Sequence, residues 1–162
     1  MELTSIIAGL NAAGVRFVVV GGVAAGVQGS TRATFDVDIC YDPSLDNRER
    51  LSEALKQWKA VLRGAEPGLP FVLDGKALVI SHVLTLTTAL GDLDVMDSVA
   101  GVGDFDDVLK ASLEVEAGAV RFRALGLPGL LIAKRAAGRP KDLAQIPELE
   151  ALLEMRRRRR VP

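Results

Sequence analysis

Apolar residues recur at Leu3, Ile6, Ile7 and Leu10, the spacing of a single helix face, and Gly14 supplies a C-terminal stop. "RFVVV" (16–20) reads as a buried strand, and "GGVAAGVQG" after it as a tight strand-to-helix turn. In "FDVDICYD" the pattern alternates: Phe35, Val37, Ile39 and Tyr41 fall on one strand face, Asp36, Asp38, Cys40 and Asp42 on the other. Asp46 with Glu49 has the form of a capping box, and Leu51, Leu55, Trp58 and Leu62 continue it as the buried stripe of a helix. "EPGLP" (66–70) predicts a loop, "FVLDGKALVI" a hairpin about Asp74-Gly75, and "HVLTLTTALGDLDVMDSV" one or two strands broken near Gly91. A short helix is expected around "DFDDVLKASL", then a second hairpin in "LEVEAGAVRFRAL". "PGLLIAKRAAG" carries Pro128 for a helix start and Gly138 for its end, and "RPKDLAQIPELEALLEMRRRRR" closes the chain. There is no internal repeat.

Composition narrows the classes. A chain of 162 residues with 49% hydrophobic content suits one domain over 1–162, with a helical C-terminal segment at about 128–160 and a basic tail at 156–160. No apolar run approaches the roughly 20 residues that span a bilayer, and the N-terminus lacks the basic start of a secretory signal. The expectation is a cytoplasmic protein without a membrane partner. One cysteine, Cys40, excludes an internal disulfide, and one histidine, His82, excludes a two-His metal site. Carboxylates remain as ligands, and they favour Mg²⁺, Mn²⁺ or Ca²⁺. The net charge of −1 conceals two poles, acids between 92 and 107 and five arginines at 156–160.

The carboxylates carry the chemistry. Asp36 and Asp38, about 7 Å apart on one strand face, can reach one divalent ion. "GDLDVMDS" offers Asp92, Asp94 and Asp97 on a second strand. Were Asp94 to lie beside the first pair, three like charges would crowd one spot, an arrangement that persists mainly where a metal neutralises it. The bland alternative is a solvated sheet face. Against it, the Gly21-Gly22 turn lies fourteen residues before Asp36, and a strand-to-helix turn presents backbone N–H groups to an anion. An anion cradle beside a cation site suggests a nucleoside triphosphate with Mg²⁺. His82 reads as a sheet residue and Cys40 as a packing residue whose thiol the nearby Asp side chains raise. Lys134 reads either as a helix's exposed face or as a functional group. The arginine run reads either as a solvated tail or as a helix terminus able to contact RNA phosphates.

"VVVGGVAAGVQGSTRATFDVDICYD" resembles the signature of the nucleotidyltransferase superfamily with the polymerase-β-type fold, in which a Gly-Gly or Gly-Ser turn precedes an Asp-x-Asp strand. Thr31-Arg32-Ala33-Thr34 ahead of the carboxylates is similar to the AbiEii-like toxin branch, and also to lincosamide and aminoglycoside nucleotidyltransferases. "LLIAKRAAGRPKDLAQI" resembles the Lys…Arg-x-Lys-Asp pattern of the toxin-like branch, so the two matches together span 16–146. The resemblance implies an α/β (α+β) minimal nucleotidyltransferase fold, a short mixed twisted sheet with helices packed on one side. It implies that Gly21 and Gly22 hold the triphosphate and that Asp36 and Asp38 bind Mg²⁺ (or Mn²⁺). Asp94 is then the third carboxylate, ligand or base; Lys134 meets phosphate, Asp142 orients that region, and Arg32 and Thr34 brace the nucleotide pocket. Two positions depart from the pattern: Gly22 where many members carry Ser, and Gln145 where another Asp often follows. The implied activity is Mg²⁺-dependent transfer of NMP from an NTP to a macromolecular acceptor, a tRNA 3′ end in toxin–antitoxin systems. The alternatives are an antitoxin-type adenylyltransferase acting on a partner protein, an antibiotic nucleotidyltransferase, and a catalytically silent NTP-binding module.

Overall fold

A computed structural model describes residues 3–68 and 73–161. Its elements run α1 (Leu3–Ala12), β1 (Phe17–Val20), α2 (Gly21–Gly26), β2 (Asp36–Tyr41), α3 (Leu45–Gln57), β3 (Val61–Leu62), α4 (Gly75–Ile80), β4 (Val83–Thr88) and β5 (Gly91–Met96). They continue with β6 (Ser98–Val99), β7 (Gly103–Asp104), α5 (Phe105–Lys110), β8 (Ser112–Ala117), β9 (Val120–Leu125), α6 (Leu127–Ala137), α7 (Pro140–Leu143) and α8 (Ile146–Arg159).

Among the described residues seven strands form one mixed sheet in the order β3-β4-β5-β2-β1-β9-β8, and β6 and β7 pair separately. The large sheet consists of three antiparallel ribbons, β1–β2, β3–β4–β5 and β8–β9. Two parallel pairings, β2 with β5 and β1 with β9, join them. The strand alternation follows the sequence: on β4, Leu84, Leu86 and Thr88 are buried, and on β5, Leu93 and Val95. On β1 the adjacent Val18 and Val19 are both 0% exposed, so the sheet is covered on both faces at its centre. Helices α1, α2 and α5 all contact the central strands. One hydrophobic cluster runs from Ile6 and Leu10 of α1 through the sheet to Leu149 of α8. No helix among the described residues is long and apolar enough to cross a membrane.

Several local expectations need correction. Asp74-Gly75 starts α4 rather than turning a hairpin, because the Asp74 side chain accepts from the N–H groups of Lys76 and Ala77 at 3.1 and 3.0 Å. Residues 69–72, which include the end of the expected loop and the start of that hairpin, lie outside the described residues. The capping box expected at Asp46 and Glu49 is absent: α3 begins after Ser44, which makes no side-chain cap bond. A capping box does form at α5, between Asp104 and Asp107. The stripe of α3 ends at Leu55, since the helix stops at Gln57 and Leu62 belongs to β3. Phe35 precedes β2 and is 81% exposed, not buried with Val37 and Ile39. His82 lies just before β4, exposed, and pairs with Asp97 at 2.8 Å. Arg156 to Arg159 form the last turn of α8, and Arg156 donates to Gln28 at 3.0 Å.

Candidate functional site

Parallel pairing of β2 with β5 decides the site. Its register sets Asp36 opposite Asp92 and Asp38 opposite Asp94, so four carboxylates leave one sheet face from two adjacent strands. Oxygen atoms of Asp36, Asp38 and Asp94 all lie within 4.8 Å of one another, each residue half-buried. Asp92 accepts instead from Thr87 Oγ1 at 2.9 Å, and Asp97 stands apart on His82.

This crowding disfavours charge. Burial pushes the Asp38 carboxyl up to about 7, the charges of Asp36 and Asp94 push the same way, and only a hydrogen bond from the Gly22 N–H and the charge of Lys134 oppose them. Asp94 is also raised, chiefly by burial, with Arg63 pulling against it and Asp36 adding to it. Cys40 behaves as a packing residue: burial, then Asp97 and Asp104, raises its thiol to about 12.

Arg63 escaped the sequence reading. Its guanidinium lies 2.7 Å from Asp94 Oδ1, 3.3 Å from Asp92 Oδ2 and 3.6 Å from Asp36 Oδ2, and it donates to the Leu86 carbonyl at 3.0 Å. The available signal was the alternation in "VLR": β3 pairs Val61 with Thr87 and Leu62 with Leu86, which brings Arg63 level with Thr85 and so with Asp94. Assigning Leu62 to a helix stripe hid it.

The glycines are fitted to this cluster. Gly21 has φ +63° and a Cβ there would stand 2.2 Å from Asp38 Oδ2, so no side chain is accommodated. A Cβ on Gly22 would stand 2.6 Å from Thr34 Oγ1 and 2.8 Å from its Cβ. Thr34 fills the space a serine would need and donates to the Asp36 carbonyl at 3.2 Å. That accounts for the first departure from the family pattern.

A second wall comes from the C-terminal helices. Asp142, 3% exposed, accepts from Lys134 Nζ at 3.2 Å and from Arg139 Nε at 2.5 Å. Burial works against its charge, but the hydrogen bonds from Arg139 and Lys134 outweigh it and hold the carboxyl below the usual range. Lys134 is therefore tucked against Asp142, not displayed on an exposed helix face. Arg32 donates to the Lys141 carbonyl at 3.0 Å. Glu148 of α8 accepts from Ser30 Oγ at 2.7 Å and from the N–H and hydroxyl of Thr31 at 2.8 and 2.9 Å, which pins the 30–34 segment. Gln145 donates its amide to Ser30 Oγ at 3.2 Å, a bond that an ionised Asp at that position would be unable to donate.

Between the walls lies a cavity of about 560 Å³. Gly21, Gly22, Arg32, Thr34, Asp36, Asp38, Asp94, Lys134 and Asp142 all line it, as do Phe35, Arg139 and Lys141, to which the sequence reading gave no role. The carboxylate wall fits a hard divalent cation such as Mg²⁺ or Mn²⁺: its donors are all oxygens, and two of the three carboxyls are held against their charged form by burial and by one another's charge.

No family model matches the chain, and no curated protein matches it. Among solved structures, a Thermotoga maritima protein described as a "putative nucleotidyltransferase" superposes with a TM-score of 0.55 at 16% identity, covering 96% of this chain and 91% of that one. The match does not single out the AbiEii-like branch. At this identity the likeness speaks for the architecture alone, and the seven-stranded mixed sheet with its helices has the fold of a nucleotidyltransferase.

Proposed function

We propose that this chain is a Mg²⁺- or Mn²⁺-dependent nucleotidyltransferase that transfers NMP from an NTP to a macromolecular acceptor, the 3′ end of a tRNA, in a toxin–antitoxin setting. The observation that carries the reading is the opposition across one cavity of three carboxylates with oxygens within 4.8 Å and a basic wall of Arg32, Lys134, Arg139 and Lys141. A triphosphate escorted by a divalent ion needs both walls at once. Asp36 and Asp38 would hold the ion, with Asp94 as third ligand or as the base for the acceptor hydroxyl. Bound there, the metal would neutralise the triphosphate and stabilise the leaving pyrophosphate. Lys134, aimed by Asp142, meets phosphate oxygens. Gly21 and Gly22 leave the floor open for the same group, and Arg32 and Thr34 fix the pocket's edge. The chain's task is then placement and charge compensation for an in-line attack.

The test is incubation of the protein and of Asp36→Ala with Mg²⁺, each α-labelled NTP and total tRNA. Label on RNA that the variant fails to transfer is the expected result. Label on protein would replace the tRNA acceptor with a protein one. Metal-dependent NTP binding with no label anywhere would leave a silent module. Because Arg156 to Arg159 are helical and Arg160 caps them, their part in acceptor use is tested by Arg157→Gln with Arg160→Gln, which should weaken RNA labelling more at low salt than at high.

A further inference from the structure

Arg63 is linked to three of the four carboxylates on the sheet face, and two of those three, Asp36 and Asp94, belong to the cluster assigned above to a metal. We propose that Arg63 is the cluster's built-in cation, competing with a divalent metal for Asp36 and Asp94, so that metal loading moves the guanidinium off both. The inference rests on the reading of the cluster as a metal site.

The contacts fit a displaceable counter-ion better than a fixed brace. A bracing arginine makes a two-pronged pair with one carboxylate. Arg63 instead spreads over three, at 2.7, 3.3 and 3.6 Å, and its buried Nε lies near Asp92 without the geometry of a hydrogen bond. The side chain is 31% exposed, which leaves it room to move. Its backbone is fixed, since the Arg63 N–H donates to the Thr85 carbonyl at 2.9 Å, so the swing is confined to the side chain. Two partners outside the metal cluster, Asp92 and the Leu86 carbonyl at 3.0 Å, remain to hold the guanidinium once Asp36 and Asp94 turn to the metal. A positive charge this close to the ligands must weaken metal binding as long as it stays on them.

The experiment is a Mn²⁺ titration of the full chain without nucleotide, followed by calorimetry or by the loss of the free-ion resonance signal, with folding checked by circular dichroism. Arg63→Gln should bind Mn²⁺ about tenfold more tightly than wild type, and Arg63→Lys, which keeps the charge but not the fork, about threefold more tightly. A brace predicts the reverse, weaker binding in both as the carboxylates lose their orientation. Unchanged or weaker binding in folded Arg63→Gln overturns the proposal, and if that variant fails to fold, Arg63→Lys decides in the same way. Asp38→Asn separates the two readings. If it abolishes Mn²⁺ binding while Arg63→Gln has no effect, only the competition fails. If wild type, Arg63→Gln and Asp38→Asn bind Mn²⁺ alike, the cluster is no metal site and both fall.

Discussion

Asp38 and Asp142 face each other across one cavity and respond to burial in opposite ways. Asp142 is the more hidden, at 3% exposure, yet two basic side chains reach it and its carboxyl stays below the usual range. Asp38 is only half-buried, but its neighbours are Asp36 and Asp94, and it rises to about 7. Burial raises both; the partners decide the net direction. In the C-terminal wall two cations meet one carboxylate, whereas in the sheet wall the single Arg63 guanidinium is spread over three carboxylates and does not reach Asp38.

The largest test of that contrast removes one carboxylate from each wall. Asp38→Asn should lower nucleotidyl transfer by about 10³-fold in the labelling assay while leaving the metal-free protein as stable as wild type or more so at pH 8. Asp142→Ala should do the opposite to stability, lowering it by about 2 kcal/mol in urea unfolding, because Lys134 loses its partner in a site where its side chain is only 14% exposed. If Asp142→Ala proves neutral, the two walls do not differ as described.

Next comes pH. Asp38 titrates higher in the folded chain than its ordinary 3.8, so the folded state binds the extra proton. Its contribution to stability is present below about pH 4 and is lost as pH rises through about 7. Asp142, being depressed, contributes above the ordinary carboxylate range and loses that contribution on acidification. The metal-free protein should therefore lose stability between pH 4 and 7, and Asp38→Asn should flatten that slope without altering the acid limb. A thermal-melting series across pH reads both limbs. The smallest effect lies at the glycine turn: Gly22→Ser should destabilise by about 1 kcal/mol through its clash with Thr34. Thr34→Ala in the same chain should recover part of that loss.

Legibility in the sequence followed the length of each signal. The alternation of "FDVDICYD" and "GDLDVMD" was long enough to assign both carboxylate strands, and Pro128 with Gly138 marks α6, whose C-cap is left-handed at φ +63°. Short elements were not legible. β3 has two residues, too few to show a period, so Arg63 disappeared into an apparent helix stripe. Asp-Gly serves equally as a hairpin turn and as a helix cap with its first residue; what separates them is tertiary, Leu78 of α4 being buried in the core with its carbonyl accepting from the Tyr41 hydroxyl at 3.1 Å. Arg139 and Lys141 stood inside a motif already noticed, but their place on the cavity depends on how α7 turns after α6.

The ribbon architecture bears on how the chain assembles. The antiparallel pairings bridge shorter stretches of chain, Val20 to Asp38 and Leu62 to Leu86 being the innermost pairs of the longer ones, while the two parallel pairings join Asp38 to Asp94 across 56 residues of chain and Val19 to Ala124 across 105. Loop entropy favours the pairings of lower sequence separation over the long closures at the start of folding, since it must be overcome before distant contacts reward it. The acidic site thus comes into being only when two ribbons bearing like charge dock edge to edge, an approach that repulsion slows. Arg63 travels with the incoming β3–β4–β5 ribbon, so the charge that screens the encounter is carried by the piece that makes it.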